Sequence, residues 1–316
     1  MLKLLTFVGA LLITVSSGMA QEFPKKQPIK IVVAANPGAG TDVMARITAE
    51  FLQRRLGQAV VVENRPGAST VIAVDYVSKA APDGYTLLFT SSDFPLVPAV
   101  RENLPYKYDQ FTYLIRPFNI STLTVVNPGS PFTTIQDMVA FMKANPGKLR
   151  YGSTGVGAVV HLGIAMLEST AGAKGTHIPY TGSAPIFQDM LAGNVEMTQS
   201  GLPFPDSLKV LAANGAERHP AFPNVPTLKE AGLEGATWNL WWGFVAPPKL
   251  PKAIGDKLTE ELAAVYKDPE AIAKFVAATK NTPVPDPLIG EAFKQHSLVE
   301  NKNWKALVER EKIAVQ

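Results

Sequence analysis

The fold class follows from residues 28–42, which read PIKIVVAANPGAGTD. The apolar run at residues 29–34 is suited to a buried parallel strand. A loop of glycine and proline comes next, and residues 41–56 then carry the apolar spacing of a helix that stops at Gly57. A strand, a glycine loop and a helix in this order indicate the beginning of an α/β fold.

The alternation continues outward from this stretch. We predict further strands at residues 59–62 and 85–91 around a helix at 71–81, and this β-α-β-α-β series predicts a parallel sheet with right-handed crossovers. The middle of the chain repeats the pattern, with predicted strands at 122–126, 149–152, 176–178 and 195–198 and predicted helices at 134–145, 158–171 and 186–191. An aromatic strand at 238–245 and helices at 252–266, 269–278 and 288–311 complete the prediction.

The length of the chain predicts two cores. Chains of about 250–300 residues usually split into more than one compact unit. No low-complexity linker separates the two strand-and-helix series, so we expect two lobes joined by more than one chain crossing, near residues 117–122 and 237–247. The predicted boundaries are residues 21–121 plus 247–316 for lobe 1 and 122–246 for lobe 2.

Residues 1–20 predict a secretory signal peptide. Lys3 precedes an apolar run at residues 4–15, and Gly18 and Ala20 stand at positions −3 and −1 of a cleavage point. The run is shorter than the roughly 20 apolar residues of a membrane-spanning helix. We therefore expect cleavage near Ala20 and a periplasmic protein. The chain has no cysteine, which excludes disulfides, thiol catalysis and a lipid-anchoring cysteine.

Charge and motif content exclude several function classes. The 30 basic and 27 acidic residues form no concentrated basic face, so we expect no nucleic-acid partner. The four histidines show no metal-ligand spacing, and there is no Gly-x-Ser-x-Gly elbow. The sequence therefore predicts no metal site, no cofactor and no catalytic residue.

A dinucleotide site is the sharpest enzyme alternative. Gly38-Ala39-Gly40 follows a strand and opens a helix, and Glu63 ends the next strand. The third small position of such a fingerprint is Val43, whose side chain would impair close packing of helix and strand. A secreted protein also lacks ready access to NAD. The residues favour a binding protein over an oxidoreductase.

Three loops between a strand and a helix are the candidate ligand contacts. Glycines allow bare backbone to approach a ligand, and the helix start offers unpaired N–H groups and the positive end of its dipole. The loops contain Pro37, Gly38, Ala39, Gly40, Thr41 and Asp42 in the first; Ser153 and Thr154 in the second; and Tyr180, Thr181, Gly182 and Ser183 in the third. Loops at the carboxyl ends of strands are where open α/β sheets bind ligands.

Several motifs, in order along the chain, resemble those of tripartite tricarboxylate transporter receptors, the Bug family. They are PIKIVV at 28–33 with PGAGTD at 37–42, VVENRPGA at 61–68, APDGYTLL at 81–88, IPYTGSAP at 178–185, PNVPT at 223–227 with EAG at 230–232, and GFVAP at 243–247. The motifs span essentially the whole mature chain.

The resemblance implies a fold and a site. It implies a periplasmic-binding-protein-like (type II) Venus flytrap, with two α/β lobes and a hinge, that closes on a ligand carboxylate held by backbone amides and water. It assigns the three loops above to the ligand and adds Ser91 and Ser92. The sequence departs from the family pattern at Ala39, at Ser69-Thr70, at Asp93 and at Ser200, and residues 201–208 form a shorter segment. Asp93 and Ser200 stay among the candidate contacts.

The expected function is that of an extracytoplasmic receptor. It would bind a small organic acid, pass it to the membrane subunits of a tripartite transporter, act without enzymatic turnover and be a monomer. A periplasmic sensory protein and a nucleotide-dependent or hydrolytic enzyme are the alternatives. Two further hypotheses concern the site: that Asp93 selects a ligand with a donor or cationic group, and that Trp238, Trp241 and Trp242 form an aromatic wall or part of the core.

Overall fold

The computed structural model of the chain describes residues 23–312. The predicted signal peptide and its cleavage point lie outside the described residues. Between residues 23 and 312, none of the helices is both long and apolar enough to span a membrane.

Helices and strands alternate through the first two thirds of the described chain. The helices are α1 Gly40–Leu56, α2 Val71–Ser78, α3 Asp93–Val100, α4 Ile135–Ala144, α5 Val159–Ala171, α6 Ser183–Leu191, α7 Lys252–Val265, α8 Pro269–Thr279 and α9 Gly290–Glu311. The strands are β1 Ile29–Val33, β2 Val60–Asn64, β3 Thr86–Ser91, β4 Thr112–Ser121, β5 Leu123–Val126, β6 Arg150–Ser153, β7 Thr176–Pro179, β8 Met197–Ser200, β9 Lys209–Ala213, β10 Asn239–Ala246 and β11 Leu288–Ile289.

The strands form two mixed sheets. The first has the order β11-β4-β10-β3-β1-β2 and the second the order β7-β6-β8-β5-β9. In the first sheet β1 pairs in parallel with β2 and β3, and β10 runs antiparallel to β3 and β4. In the second, β6 pairs in parallel with β7 and β8, and β5 is antiparallel to β8 and β9. The predicted α/β class and the parallel pairing of the first three strands are confirmed; the antiparallel strands β4, β9 and β11 were not predicted.

The two sheets share one internal plan, a β-α-β-α-β unit whose first strand lies between the other two. The first unit gives the order β2-β1-β3 and the second gives β7-β6-β8. In each unit, the loop after the central strand (β1 or β6) leads to one side of the sheet. The loop after the third strand (β3 or β8) leads to the opposite side. The gap between the two loops is the topological switch point at which open α/β sheets hold ligands.

The chain crosses between the sheets twice. It leaves the first sheet at the end of β4 and enters the second at β5, with Thr122 between them. It returns between β9 and β10, where Trp238 N–H donates to the Asn214 carbonyl at 2.9 Å. The predicted boundary at 246/247 assigned β10 to lobe 2, and this is corrected by the pairing of β10 with β3 and β4 in the first sheet. The division into lobes otherwise stays a prediction.

Helices α3 and α9 connect the two halves. Leu96 and Val100 of α3 share a core cluster with Trp304 and Leu307 of α9 and with buried side chains of α4, α5 and the second sheet. The start of α9 packs elsewhere, with Phe293 beside Trp241 in a cluster of the first sheet. Helix α3 was not predicted because two prolines lie within its eight residues. Its almost complete burial stabilises the helix against their poor propensity.

Two glycines within helices α5 and α7 test how tightly these helices pack against their neighbours. A Cβ added at Gly163 of α5 would lie 2.4 Å from the Trp238 ring, whereas one added at Gly255 of α7 would meet only Leu250, at 3.6 Å, and Thr112, at 4.0 Å. We expect Gly163→Ala to lower the free energy of unfolding by about 1–3 kcal/mol through overpacking. Gly255→Ala should raise it by up to about 1 kcal/mol through helix propensity. Urea denaturation measures both, and equal stability of the two variants would contradict the described contact.

Candidate binding cleft

A cleft of about 260 Å³ lies where the switch points of the two β-α-β-α-β units face each other. It is lined by Thr41, Ser91, Asp93, Thr154, Val159, Val160, Ser183, Ile186, Phe187, Thr198, Gln199, Ser200, Gly201, Leu240 and Trp242. The hydroxyl residues come mainly from strand ends and helix starts. Apolar side chains from α5, α6 and β10 supply much of the remaining wall.

Four helices begin at this cleft. Thr41, Asp93, Val159 and Ser183 all stand at the first or second position of a helix, in α1, α3, α5 and α6 respectively. None of these four helices has a side-chain cap. Helices α4 and α8, which begin away from the cleft, are capped by Thr134 and Asp268, although α7 and α9 also lack caps. The cleft therefore receives the positive ends of four helix dipoles; the Asp93 carboxylate interacts with the Val159 N–H of α5, and Ser91 Oγ accepts from the Asp93 N–H of α3 at 3.4 Å.

Asp42 shapes the first loop and does not line the cleft. Its carboxylate is buried and accepts hydrogen bonds from Gly38 N–H at 2.8 Å, Arg46 Nε at 2.9 Å and Asn64 Nδ2 at 2.8 Å. Burial by itself would raise the pKa of Asp42, but the bonds from Arg46, Gly38 and Asn64 outweigh it and hold the pKa below its ordinary value. The side chain thus fixes the turn that leads into α1.

The structure brings part of the predicted site together. Six of the predicted contacts line the cleft: Thr41, Ser91, Asp93, Thr154, Ser183 and Ser200. The others do not line it: Pro37, Gly38, Ala39, Gly40, Asp42, Ser92, Ser153, Tyr180, Thr181 and Gly182. Ser92 is buried, and its hydroxyl finds no hydrogen-bond partner among the described residues. The hydroxyl of Tyr180 donates to Asp189 at 2.6 Å.

The three tryptophans have different roles. Trp242 lines the cleft beside the start of α1, where a Cβ added at Gly40 would lie 3.9 Å from its ring. Trp241 is fully buried, and its indole N–H donates to Glu300 at 2.8 Å. Trp238 is a buried core residue. Trp242 therefore lines the cleft, whereas Trp238 and Trp241 belong to the core.

Sequence reasoning missed Gln199, which connects the cleft to both chain crossings. Its side chain accepts from Trp238 Nε1 at 2.8 Å and donates to Thr124 Oγ1 at 3.2 Å. Thr124 in turn donates to Asn214 Oδ1 at 2.6 Å, and Asn214 Nδ2 donates to Thr122 Oγ1 at 2.9 Å. These buried bonds tie the cleft wall to the segments at which the chain passes between the sheets. An isolated glutamine in a short strand gives no sequence signal for this role.

A stacked histidine pair supports the second glycine loop from behind. The rings of His161 and His177 lie parallel with centroids 4.0 Å apart. His161 Nδ1 accepts from Gly157 N–H at 3.1 Å, and His177 Nε2 lies 2.6 Å from Ser153 Oγ. Ser153 is fully buried, so its contact with His177 presents no nucleophile to the cleft. The pair fixes the shape of the loop that carries Thr154.

The histidine pair predicts a loss of stability in acid. Burial, helped by the neighbouring His177, lowers the pKa of His161 to about 4, and burial lowers the pKa of His177. An unfolded histidine titrates near 6.5, so between about pH 6.5 and 4 the unfolded chain binds more protons than the folded one. We expect the free energy of unfolding to fall as the pH drops through this window. The variant His161→Asn keeps an acceptor for the Gly157 N–H, and its free energy of unfolding should fall less steeply with decreasing pH.

The measurement is urea denaturation of both proteins at several pH values from 7.5 to 4.5. Gly255→Ala, a change remote from any histidine of the pair, provides the control and should run parallel to the unsubstituted protein. Curves for His161→Asn that are parallel as well would contradict the assignment of a neutral, buried ring to His161.

Comparisons with known proteins agree with this architecture. The family model described as "Tripartite tricarboxylate transporter family receptor" matches residues 44–312. A UPF0065 protein of Bordetella pertussis (strain Tohama I) is 35% identical over 257 residues, which cover 79% of each chain. A solved structure of the periplasmic binding protein BugD superposes with a TM-score of 0.80 at 28% identity, over 92% of this chain and 99% of BugD.

A second solved structure contains a ligand. It is described as R. palustris Rpa4515 with adipate, and it superposes with a TM-score of 0.82 at 28% identity, over 93% of this chain and 99% of its own. The family resemblance inferred from the sequence motifs is therefore confirmed. The chain belongs to the tripartite tricarboxylate transporter receptor family of periplasmic solute-binding proteins.

Proposed function

We propose that the protein is an extracytoplasmic receptor that binds a small carboxylate-bearing molecule in the cleft and delivers it to the membrane subunits of a tripartite transporter. The observation that carries this proposal is the convergence of four helix starts on one cleft whose described lining contains no cationic side chain. An anion bound there would be held by backbone N–H groups, hydroxyls and helix dipoles.

The lining suits a carboxylate on a short carbon skeleton. Hydroxyls of Thr41, Thr154 and Ser183 can donate to carboxylate oxygens, and hydrogen bonds to an ionised acceptor are shorter and stronger than neutral ones. Phe187 and the other apolar lining residues offer contact to methylene groups or a ring. A volume of about 260 Å³ fits a small molecule better than a peptide or a nucleotide.

Closure and opening would take place about the two crossings. In receptors of this kind, a ligand that contacts both lobes favours the closed state because its binding energy differs between the two states. The bonds of Gln199 place the cleft wall in direct contact with the crossing segments around Thr122 and Asn214. This arrangement supports coupling of cleft occupancy to lobe orientation, which the membrane subunits would read.

Relatives support the ligand class. The solved structure of Rpa4515 contains adipate, a dicarboxylate. Rpa4515 is 28% identical to this chain, and the match covers 93% of it. Membership in a family of tripartite transporter receptors supports delivery to membrane subunits. The family and the predicted signal peptide both support a periplasmic location. Ligand recovered unchanged after binding would separate this receptor from an enzyme.

The first test is thermal unfolding of the mature protein against a panel of mono-, di- and tricarboxylates, aromatic acids and amino acids. A ligand at about 100 times its dissociation constant should stabilise the protein by about 2.7 kcal/mol. For lobes of this size we expect the midpoint to rise by several degrees, because each kcal/mol corresponds to roughly 2–4 °C. A panel without any shift would count against a carboxylate receptor.

Hydroxyl deletions then locate the site. We expect Thr154→Val and Ser183→Ala each to weaken binding of the best panel ligand by about tenfold or more, since a hydrogen bond to a charged group contributes about 1.5–3 kcal/mol. Thr259→Val on α7 is the matched control and should bind as before. Titration calorimetry gives the dissociation constants. Full affinity in both cleft variants would place the ligand elsewhere.

A further inference from the structure

Asp93 places a carboxyl group in the cleft, where burial raises its pKa above the ordinary value and the hydrogen bonds from Ser91 and the Val159 N–H act in the opposite direction. Among the described residues that line the cleft, it is the one charged side chain. It is the first residue of α3 and follows β3 at the switch point of the first unit, so it lies among the groups that would meet a ligand. A carboxylate in a cleft built for carboxylates requires an explanation.

Two local donors hold the Asp93 side chain in place. Ser91 Oγ donates to Asp93 Oδ2 at 3.0 Å, and the backbone N–H of Val159, at the start of α5, also interacts with the carboxylate. Asp93 therefore takes up part of the positive end of α5. The starts of α1 and α6, with Thr41 and Ser183, remain for an anionic group of the ligand.

No cationic side chain neutralises Asp93 within the described cleft lining. Arg101 lies in an adjoining cavity of about 120 Å³ that also touches Asp93. Arg101 directly follows the last residue of α3. Its guanidinium donates to the Ala68 carbonyl at 3.1 Å. A protonated amine of the ligand beside Asp93 would oppose the effect of burial on this carboxyl group and favour its ionised form.

We propose that Asp93 is a specificity-determining residue that selects a zwitterionic ligand: a molecule with one carboxylate for the starts of α1 and α6 and a protonated amine, or an equivalent cationic donor, for Asp93. A second ligand carboxylate beside Asp93 would bring two like charges together, which disfavours binding. A protonated amine there gains a charge-assisted hydrogen bond. This inference rests on the proposed function and narrows its ligand class.

Matched series of unbranched acids test it. At each of two chain lengths, titration calorimetry compares an amino acid, a monoacid and a diacid: 4-aminobutanoate, butanoate and succinate, then 6-aminohexanoate, hexanoate and adipate. We expect the amino acid to bind the unsubstituted protein best in at least one series. The diacid of that series should bind about tenfold more weakly or worse, given the energy of a hydrogen bond to a charged group.

Asp93→Asn should remove most of this preference. The variant should bind the amino acid more weakly and the diacid more tightly, so that their dissociation constants differ by no more than about threefold. Asp256→Asn on α7, an exposed carboxylate paired with Lys252, is the control and should keep the full preference. If Asp93→Asn does not fold, the order of affinities of the unsubstituted protein for the amino acid, monoacid and diacid still tests the inference.

The outcomes separate the two proposals. Preference for the amino acid that is lost only in Asp93→Asn supports the inference. A diacid bound as tightly as the amino acid, or an unchanged ranking in folded Asp93→Asn, overturns the inference and leaves the carboxylate receptor intact. Absence of binding by every carboxylate, here and in the wider panel, overturns the proposed function and this inference with it.

Discussion

The strand order of the two β-α-β-α-β units is the constraint on which the rest of the structure depends. With the first strand in the centre of each unit, the loops after β1 and β3, and after β6 and β8, diverge and leave an opening between them. The two openings face each other, and all four helix starts at the cleft come from loops at the ends of β1, β3, β6 and β7. Because helix dipoles and backbone N–H groups are fixed by this topology, the proposed anion site needs no arginine or lysine from the described cleft lining.

A site of this kind depends on its supporting contacts, since backbone groups bind only where the backbone is held. Asp42 fixes the loop before α1 through Gly38, and the His161–His177 pair fixes the loop before α5 through Gly157. Gln199 connects the wall to the crossings. These polar groups are largely buried and partnered, which makes them specific but sensitive to loss of any one partner. The cleft lining can consequently vary around a fixed scaffold, and Asp93 is the clearest candidate for such a variation.

The sequence allowed prediction of the elements that local patterns define. The strand, glycine loop and helix at residues 28–56 gave the fold class and the position of Thr41, and the same pattern led to Thr154 and Ser183. Side-chain direction was not predictable in this way: Ser92 points into the core while its neighbours Ser91 and Asp93 reach the cleft, because register and packing decide which face of a turn is exposed. Helix α3 escaped prediction because tertiary burial outweighs its prolines, and the partner strands of β10 lie more than a hundred residues away in sequence.

In the proposed complex, backbone groups at the helix starts bind the ligand's carboxylate within the cleft. Amide chemical shifts of the isotope-labelled protein, followed during titration with the best carboxylate of the panel, test this most directly. We expect the largest changes at the N–H groups of Thr41 and Ser183, together with the Trp242 indole. Large shifts confined to a different cavity, such as the one lined by Asn281, with these amides unmoved, would contradict binding at the helix starts.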